Sequence, residues 1–355
     1  AVCRAEADWL VGLNATRALT CKYNAQLSCG RVQTPTLAMI AKREEEIRKF
    51  VPKSYYGLQL QAEGVVFTWK DEKSGSYRSF QKERIENIQK KLSGKKLQII
   101  KADTKVKKQG APQLYDLTQL QREANQKFGF SAKETLNIMQ RLYENHKVLT
   151  YPRTDSRYLT ADVMGTIKER LQAINAGAYR EFAAPLIRRK LPKKPAFVND
   201  AKVSDHHAII PTEQAPNYIH MSNEERKIYD MVVRRFLAVM YPAYEYEESV
   251  LTGEVAGEHF YARGTRPLHM GWKAVYENQS EDEEEEELKR QNLPVMQKGQ
   301  EFSISNIRLT EGKTKPPARF TEGTLIAAME NPVRYMESGN KEMAKTLGEI
   351  GGLGT

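Results

Sequence analysis

Trp9, Leu10, Leu13 and Leu19 recur at near-helical spacing among Arg and Asp residues, so the first twenty positions are predicted to form a helix. A second helix opens at Thr34-Pro35, a capping residue followed by a first-turn proline, and is predicted to run to Phe50. The stretch between them, CKYNAQLSCGRVQ, is polar and contains glycine. It reads as a loop that delivers Arg31 and Gln33 to a helix N-terminus, a place suited to a phosphate. From Ser54 to about Ile100 the alternation in YYGLQLQAEGVVFTW and KKLQII predicts strands, broken by a turn at Lys73-Ser74-Gly75. A second strand-rich stretch covers 243–310 and includes SVLTGEV, HFYARGT and EFSISNI. Between the two lies a mostly helical block, about 111–242. Its punctuation is clear at Ser131 to Glu134 and at Ser222 to Glu225, both of which fit the capping box. One β unit interrupted by an inserted helical domain is therefore expected. Within the insert, KVLTYPRTDSRYLT combines a short apolar run with a proline and should emerge as a brief extended segment. Leu191 to Pro195 reads as a surface loop, and no internal repeat is present.

A chain of 355 residues exceeds the ~100–200 residues usual for one domain, so two or three packed units are expected. With 40% hydrophobic and 28% charged residues it is not disordered throughout. No segment approaches the ~18 uninterrupted apolar residues of a membrane span, and Arg4, Glu6, Asp8 and Arg17 make the opening unlike a secretory leader. No membrane association and a cytoplasmic location are expected. Cys3, Cys21 and Cys29 form no C-x-x-C pair, which supports neither a disulfide framework nor a zinc finger and predicts buried, small hydrophobic thiols. The net charge of +10 includes seven acidic groups in EDEEEEE at 281–287, read as a solvated β-hairpin insertion, and becomes +17 without them. A field of that sign concentrates polyanions, nucleic acid first among them.

Whole reaction classes are missing. GKT at 312–314 has Ile307 where a phosphate-binding loop needs glycine, and neither H-E-x-x-H nor G-x-S-x-G occurs. The informative segment is Tyr151-Pro152-Arg153-Thr154-Asp155-Ser156. Proline holds the residue before it extended, so Tyr151 and Arg153 should project to the same side. A phenol can be a covalent nucleophile only where its surroundings activate it, and a guanidinium fork can stabilise charge on phosphorus. A tyrosine packed at a domain seam beside a surface arginine would give the same letters. Ser204-Asp205-His206-His207 sets two histidines beside an aspartate; imidazole can bond a phosphate oxygen or orient a phenol, or simply sit as a satisfied surface pair.

At these residues the chain resembles the type IA DNA topoisomerases, and within them the bacterial topoisomerase III branch. The resemblance rests on EADWLVGLNATRALT (6–20), SCGRVQTPTLAMI (28–40), LTYPRTDSRYL (149–159), SDHHAIIPT (204–212) and PPARFTEGTLIAAME (316–330), in the family's order. It implies an α+β, multidomain fragment of a toroid. In it, 1–50 and 311–355 form a helical gate-side domain, 51–110 and 243–310 a β-rich arch, and 111–242 an inserted helical domain carrying the tyrosine. By the same resemblance Tyr151 is the nucleophile that forms a 5′-phosphotyrosine bond, Arg153 holds the scissile phosphate and His206 supports the site. DNA contacts are implied for Ser28, Cys29, Gly30, Arg31, Val32 and Gln33, for Arg17, for Thr154, Asp155 and Ser156, and for Thr321. The family also carries a Mg2+-binding TOPRIM domain ahead of the segment that opens here. No metal ligands are expected in this chain, and EDEEEEE is no substitute because metal sites need spaced carboxylates on a rigid frame. The absence of an initial methionine and the glycine-rich end at GGLGT suggest a fragment, incompetent alone, that acts as a monomer on single-stranded DNA in the bacterial nucleoid. Two other readings remain open: a single-strand-binding module without chemistry, and a tyrosine recombinase, which would leave a 3′-phosphotyrosine instead.

Overall fold

The structure, a computed structural model, describes residues 2–190, 192, 195–276, 290–335 and 352–353. Along the chain it runs α1 (Val2–Tyr23), α2 (Gln33–Lys49), β1 (Ser54–Ala62), β2 (Val65–Trp69), α3 (Lys82–Leu92), β3 (Lys96–Gln109), α4 (Leu117–Phe128) and α5 (Ala132–Glu144). It continues with α6 (Ile167–Ala173), α7 (Arg180–Arg188), α8 (Asn223–Ala238), β4 (Tyr244–Val255), β5 (Glu258–His269), β6 (Arg290–Gln291), β7 (Glu301–Ser303), β8 (Asn306–Lys313) and α9 (Glu322–Glu330). Short 3-10 turns, the longest Gly271–Tyr276, fill several connections.

The two β regions join in one sheet of order β7-β3-β4-β5-β2-β1-β8, antiparallel throughout except where β6 runs parallel beside β5. Alternation decides which face is covered: Leu58, Leu60 and Ala62 of β1, Phe67 and Trp69 of β2, and Phe260 and Ala262 of β5 are all buried. Ile85, Ile88 and Leu92 of α3 close over that face at helical spacing. This helix adds to the expectation of strands from Ser54 to about Ile100 broken only by a turn; within KERIENIQKKL the apolar positions fall three and four apart, a period no strand can bury on one face. In β3 the buried positions stop at Ile99, and the remainder continues as an exposed ribbon paired with β4.

Contacts divide the chain into two compact units: Ala1–Val51, Asp116–Asn145 and Pro316–Thr355 in the first, Pro52–Tyr115 and His146–Lys315 in the second. Residues 116–145 fall in the first of these units and 146–242 in the second. The reason is local: Thr118 and Arg122 of α4 bond Glu330 of α9, Asn125 accepts from the Gly323 amide, and Glu322 accepts from the Ala132 amide at the start of α5. In the second unit α8 is buried along most of its length, with Ile228, Val232, Val233, Phe236 and Leu237 packed inside. Both expected capping boxes, at Ser131 and Ser222, are formed.

In the first unit α1 and α2 behave differently. Among described residues up to Val51 only Met39 is a buried hydrophobic, while Trp9, Leu10 and Leu13 are 66%, 51% and 43% exposed. The cysteines follow: Cys3 and Cys21 are exposed and Cys29 is half-buried, which corrects the expectation of buried thiols, since α1 has no core here to bury them in. The acidic run 281–287 and much of the 191–195 loop lie outside the described residues.

Candidate active site

The second unit builds the tyrosine segment from backbone pairing. After α5 the chain reverses at Lys147, whose φ of 56° is left-handed, and then runs extended. His146 Nε2 lies 3.2 Å from the Glu225 carboxylate, which also takes part in the capping box of α8. Val148 and Leu149 are buried. The Thr150 amide donates to the Ile210 carbonyl at 3.0 Å, the Ile210 amide donates to the Thr150 hydroxyl at 3.0 Å, and the Thr212 amide donates to the Val148 carbonyl at 3.0 Å. On its other side, the Ile209 amide donates to the Tyr115 carbonyl at 2.8 Å. Residues 208–212 are therefore the middle rung of a small buried ladder, and Tyr151 leaves its end.

From there the segment alternates. Pro152, Thr154 and Ser156 are buried, while Tyr151 is half-buried and Arg153 and Asp155 are exposed. The Thr154 hydroxyl donates to the His206 carbonyl at 2.8 Å and the Ser156 hydroxyl to the Lys202 carbonyl at 2.8 Å. These bonds tie the segment to the histidine loop, and the Tyr151 and His206 rings meet at 4.4 Å between centroids with 41° between planes. Asp155 accepts from the Ser204 hydroxyl at 3.3 Å. Among the described residues Arg153 has no ion-pair or hydrogen-bond partner, so its fork of donors faces solvent.

The two histidines separate by environment. His206 is exposed and lies on the tyrosine ring, whereas His207 is half-buried with Nδ1 2.7 Å from the Ala208 carbonyl, a geometry that makes Nδ1 the protonated nitrogen. Burial holds the His207 imidazole below the ordinary histidine pKa of 6.5, and the Arg170 charge pushes the same way. Arg170 is a residue that motif reading passed over. Buried in α6, it donates to the Pro211 carbonyl at 2.7 Å and to the Thr166 hydroxyl at 2.9 Å, and it pairs with Glu213 at 2.7 Å. It fastens the middle rung from beneath.

The other expected DNA contacts belong to the first unit. Arg31 stands just before α2, with Nε 2.6 Å and Nη2 3.4 Å from the Asp8 carboxylate, a bidentate pair on the surface that raises the guanidinium's pKa. The Cys29 amide donates to the Thr16 hydroxyl at 2.9 Å and the Gly30 amide to the Thr34 hydroxyl at 3.0 Å. Ser28 and Arg17 are exposed, Val32 is the residue that caps α2, and Gln33 begins that helix. Thr321 caps α9, its hydroxyl accepting from the Thr324 amide at 3.2 Å. Tyr151, Arg153 to Ser156 and His206 are thus gathered in one unit, and Arg17, the 28–33 loop and Thr321 in the other.

No group of three or more His, Cys, Asp or Glu side chains among the described residues is placed to hold a metal ion, so none of them is assigned to Mg2+. No described helix is long and apolar enough to cross a membrane.

A family model described as DNA topoisomerase matches residues 1–355. DNA topoisomerase 3 of Bacillus cereus is 56% identical over 357 residues, covering 100% of this chain and 49% of that protein. DNA topoisomerase 3 of Bacillus subtilis is 52% identical over 355 residues with the same coverage. Full-length topoisomerase I of Thermotoga maritima superposes with a TM-score of 0.70 at 25% identity, over 98% of this chain and 55% of that one. The chain spans about half the length of the curated relatives it matches.

Proposed function

The chain belongs to the DNA topoisomerase family, and from that premise we propose that it is the strand-cleaving half of a type IA enzyme of the topoisomerase III kind. The observation that carries this reading is the Tyr151 ring lying against His206, with the exposed Arg153 guanidinium two residues on.

In this mechanism the Tyr151 oxygen attacks a backbone phosphorus of one strand. A bond from the phenol oxygen to phosphorus forms, the bond from phosphorus to the 3′ oxygen breaks, and the phenol gives up its proton as the leaving 3′ oxygen gains one. Arg153 binds the phosphate oxygens and stabilises the charge that develops on them. His206 holds the phenol in place and bonds a phosphate oxygen. One phosphate ester replaces another, so resealing needs no nucleotide hydrolysis. Strand passage and religation, giving relaxation or decatenation, then require the tyrosine-bearing residues to move while bonded to the 5′ end, a domain motion of the hinge kind. The arrangement proposed is a gate-side domain from 1–50 and 311–355, an arch from 51–110 and 243–310, and a tyrosine domain from 111–242. Ser28 to Gln33 with Arg17, Asp155 and Thr321 would line the strand's path, while the buried Thr154 and Ser156 would hold the tyrosine segment from behind rather than touch DNA. Single-stranded DNA is the preferred substrate, because a strand splayed in a basic groove exposes both its phosphates and its bases. The Mg2+ of this family would be held by a TOPRIM domain outside this chain, without which the chain would not cut. The enzyme would act as a monomer in the bacterial cytoplasm, at the nucleoid.

The test uses the full-length enzyme and an end-labelled single strand. The wild type is expected to trap a covalent adduct through a 5′ phosphate, and Tyr151→Phe to bind the strand but trap none. An adduct that survives Tyr151→Phe removes the nucleophile assignment. Attachment through a 3′ phosphate would point to recombinase-type chemistry, and binding by the wild type without any adduct to a binding module.

A further inference from the structure

A cleft wholly within the first unit lies between α4 and α9 and has a volume of about 950 Å³. That is at the upper end of the ~300–1,000 Å³ typical of ligand sites and ample for one nucleotide. One wall is a stack. The Arg43 guanidinium of α2 sits 4.3 Å from the centroid of the Phe320 ring, and Phe320 in turn lies 5.8 Å from the Tyr335 ring. Arg43 is fixed edge-on by donating to the Ala318 carbonyl at 2.6 Å and to the Tyr335 hydroxyl at 3.4 Å, and its Nε lies 3.4 Å from the Glu46 carboxylate. A cation stacked on aromatic rings and held by its edge is a flat surface on which another planar group can stack.

Charge decides what that group is. Arg43 and Arg122 bring two positive charges to the lining and Glu123 and Glu330 two negative ones; Arg122 is paired with Glu330 at 3.1 Å, and Arg43 with Glu46, beside it on α2, at 3.4 Å. A phosphate would meet two carboxylates in a cleft with no net charge. A neutral, planar, hydrogen-bonding group would not. Around the stack, Thr324 and Asn331 add hydroxyl and amide groups that both donate and accept, as reading the edge of a base requires. Thr321, which the motif resemblance marks as a DNA contact, lines the same cleft.

We propose that the cleft between α4 and α9 receives one unstacked nucleobase of the bound single strand, stacked against Arg43, Phe320 and Tyr335. This rests on the functional reading above and deepens it: the strand is held by a captured base as well as by its phosphates, on the unit that does not carry Tyr151. Base capture in a polar, uncharged cleft contributes affinity that salt does not screen, unlike the phosphate contacts.

The experiment uses full-length protein carrying Tyr151→Phe, so that cutting plays no part, and fluorescence anisotropy with a set of single strands each bearing one abasic site at successive positions. One position is expected to weaken binding about tenfold, the loss for one stacked base. Two variants fill the cleft from opposite walls: Ala327→Trp on α9 and Gln126→Trp on α4, the latter at an exposed helical position that folding tolerates. In whichever variant is folded by circular dichroism, the strand is expected to bind more weakly and the abasic penalty at that position to vanish. A flat scan in the parent protein, or a penalty retained in a folded filled variant, overturns the captured base while leaving the topoisomerase reading intact. No binding to any single strand overturns both.

Discussion

Around Tyr151 the polypeptide is held from behind. Buried Val148 and Leu149, the rung at 208–212 and the Arg170 side chain beneath it set the backbone, while Tyr151, Arg153, Asp155 and His206 reach the surface. Around Arg31 the support is lateral and open: the hydroxyls of Thr16, Thr20 and Thr34 hold the loop, and the guanidinium rests on an exposed aspartate. The difference matches two tasks. A nucleophile must be placed before the phosphate arrives, because misplacement costs rate steeply. A backbone contact needs only a charge in the right neighbourhood, and it gains from being able to exchange one anion for another.

The largest effect should come from undermining the buried side of this contrast. Arg170→Met removes the donor to the Pro211 carbonyl and leaves that acceptor unsatisfied inside the protein. The expected loss is about 2–3 kcal/mol in urea unfolding, together with a fall in the rate of adduct formation. Arg31→Ala should leave the unfolding midpoint where it was. If both substitutions shift the midpoint alike, the contrast between a built site and an adaptable loop fails. Thr154→Val is the milder version. It keeps the shape and removes the hydroxyl that donates to the His206 carbonyl and accepts from the Ser156 amide, for about 1–2 kcal/mol of stability, and adduct yield should drop because His206 is no longer tied to the tyrosine segment.

The next effect lies on the open side and is read in salt dependence rather than stability. Asp8 occupies the Arg31 fork, so Asp8→Asn should release it to phosphate: single-strand affinity rises and the slope of log K against log salt steepens by up to about one. Arg31→Ala should make the slope shallower by a similar amount. An unchanged slope in both variants would take Arg31 off the path of the strand.

What could be read in advance follows the same division. The capping boxes at Ser131 and Ser222 and the strands of β1, β2, β4 and β5 were legible because each depends on residues a few positions apart. The tyrosine segment could be singled out from Pro152 and its neighbours, and its alternating exposure follows from extended geometry alone. Arg170 was not legible. In the sequence it is one arginine in KERLQA, and only folding brings Pro211 and Glu213 to it. The α3 helix carried its signal in Ile85, Ile88 and Leu92, but strand patterns on both sides and a very polar outer face masked it. The buried-thiol expectation failed for a different reason. Apolar spacing shows which face of α1 seeks cover, but not whether anything within the described residues supplies it.

The smallest expected effect separates His206 from His207. The folded protein holds His207 below the ordinary pKa of 6.5, whereas the unfolded chain titrates at that ordinary value. Between the two values the unfolded state carries the extra proton, so stability rises with pH across that window. Acidification below about 6.5 therefore costs stability until the folded pKa is passed, and above the window the histidine contributes no slope. His207→Asn keeps an N–H for the Ala208 carbonyl and cannot titrate. It should flatten this part of the profile of unfolding free energy against pH while leaving adduct formation near that of the parent. His206→Asn is expected to lower adduct formation. Should His207→Asn abolish adducts while His206→Asn is silent, the assignment of the two imidazoles must be exchanged, and the ring that touches Tyr151 would be packing rather than chemistry.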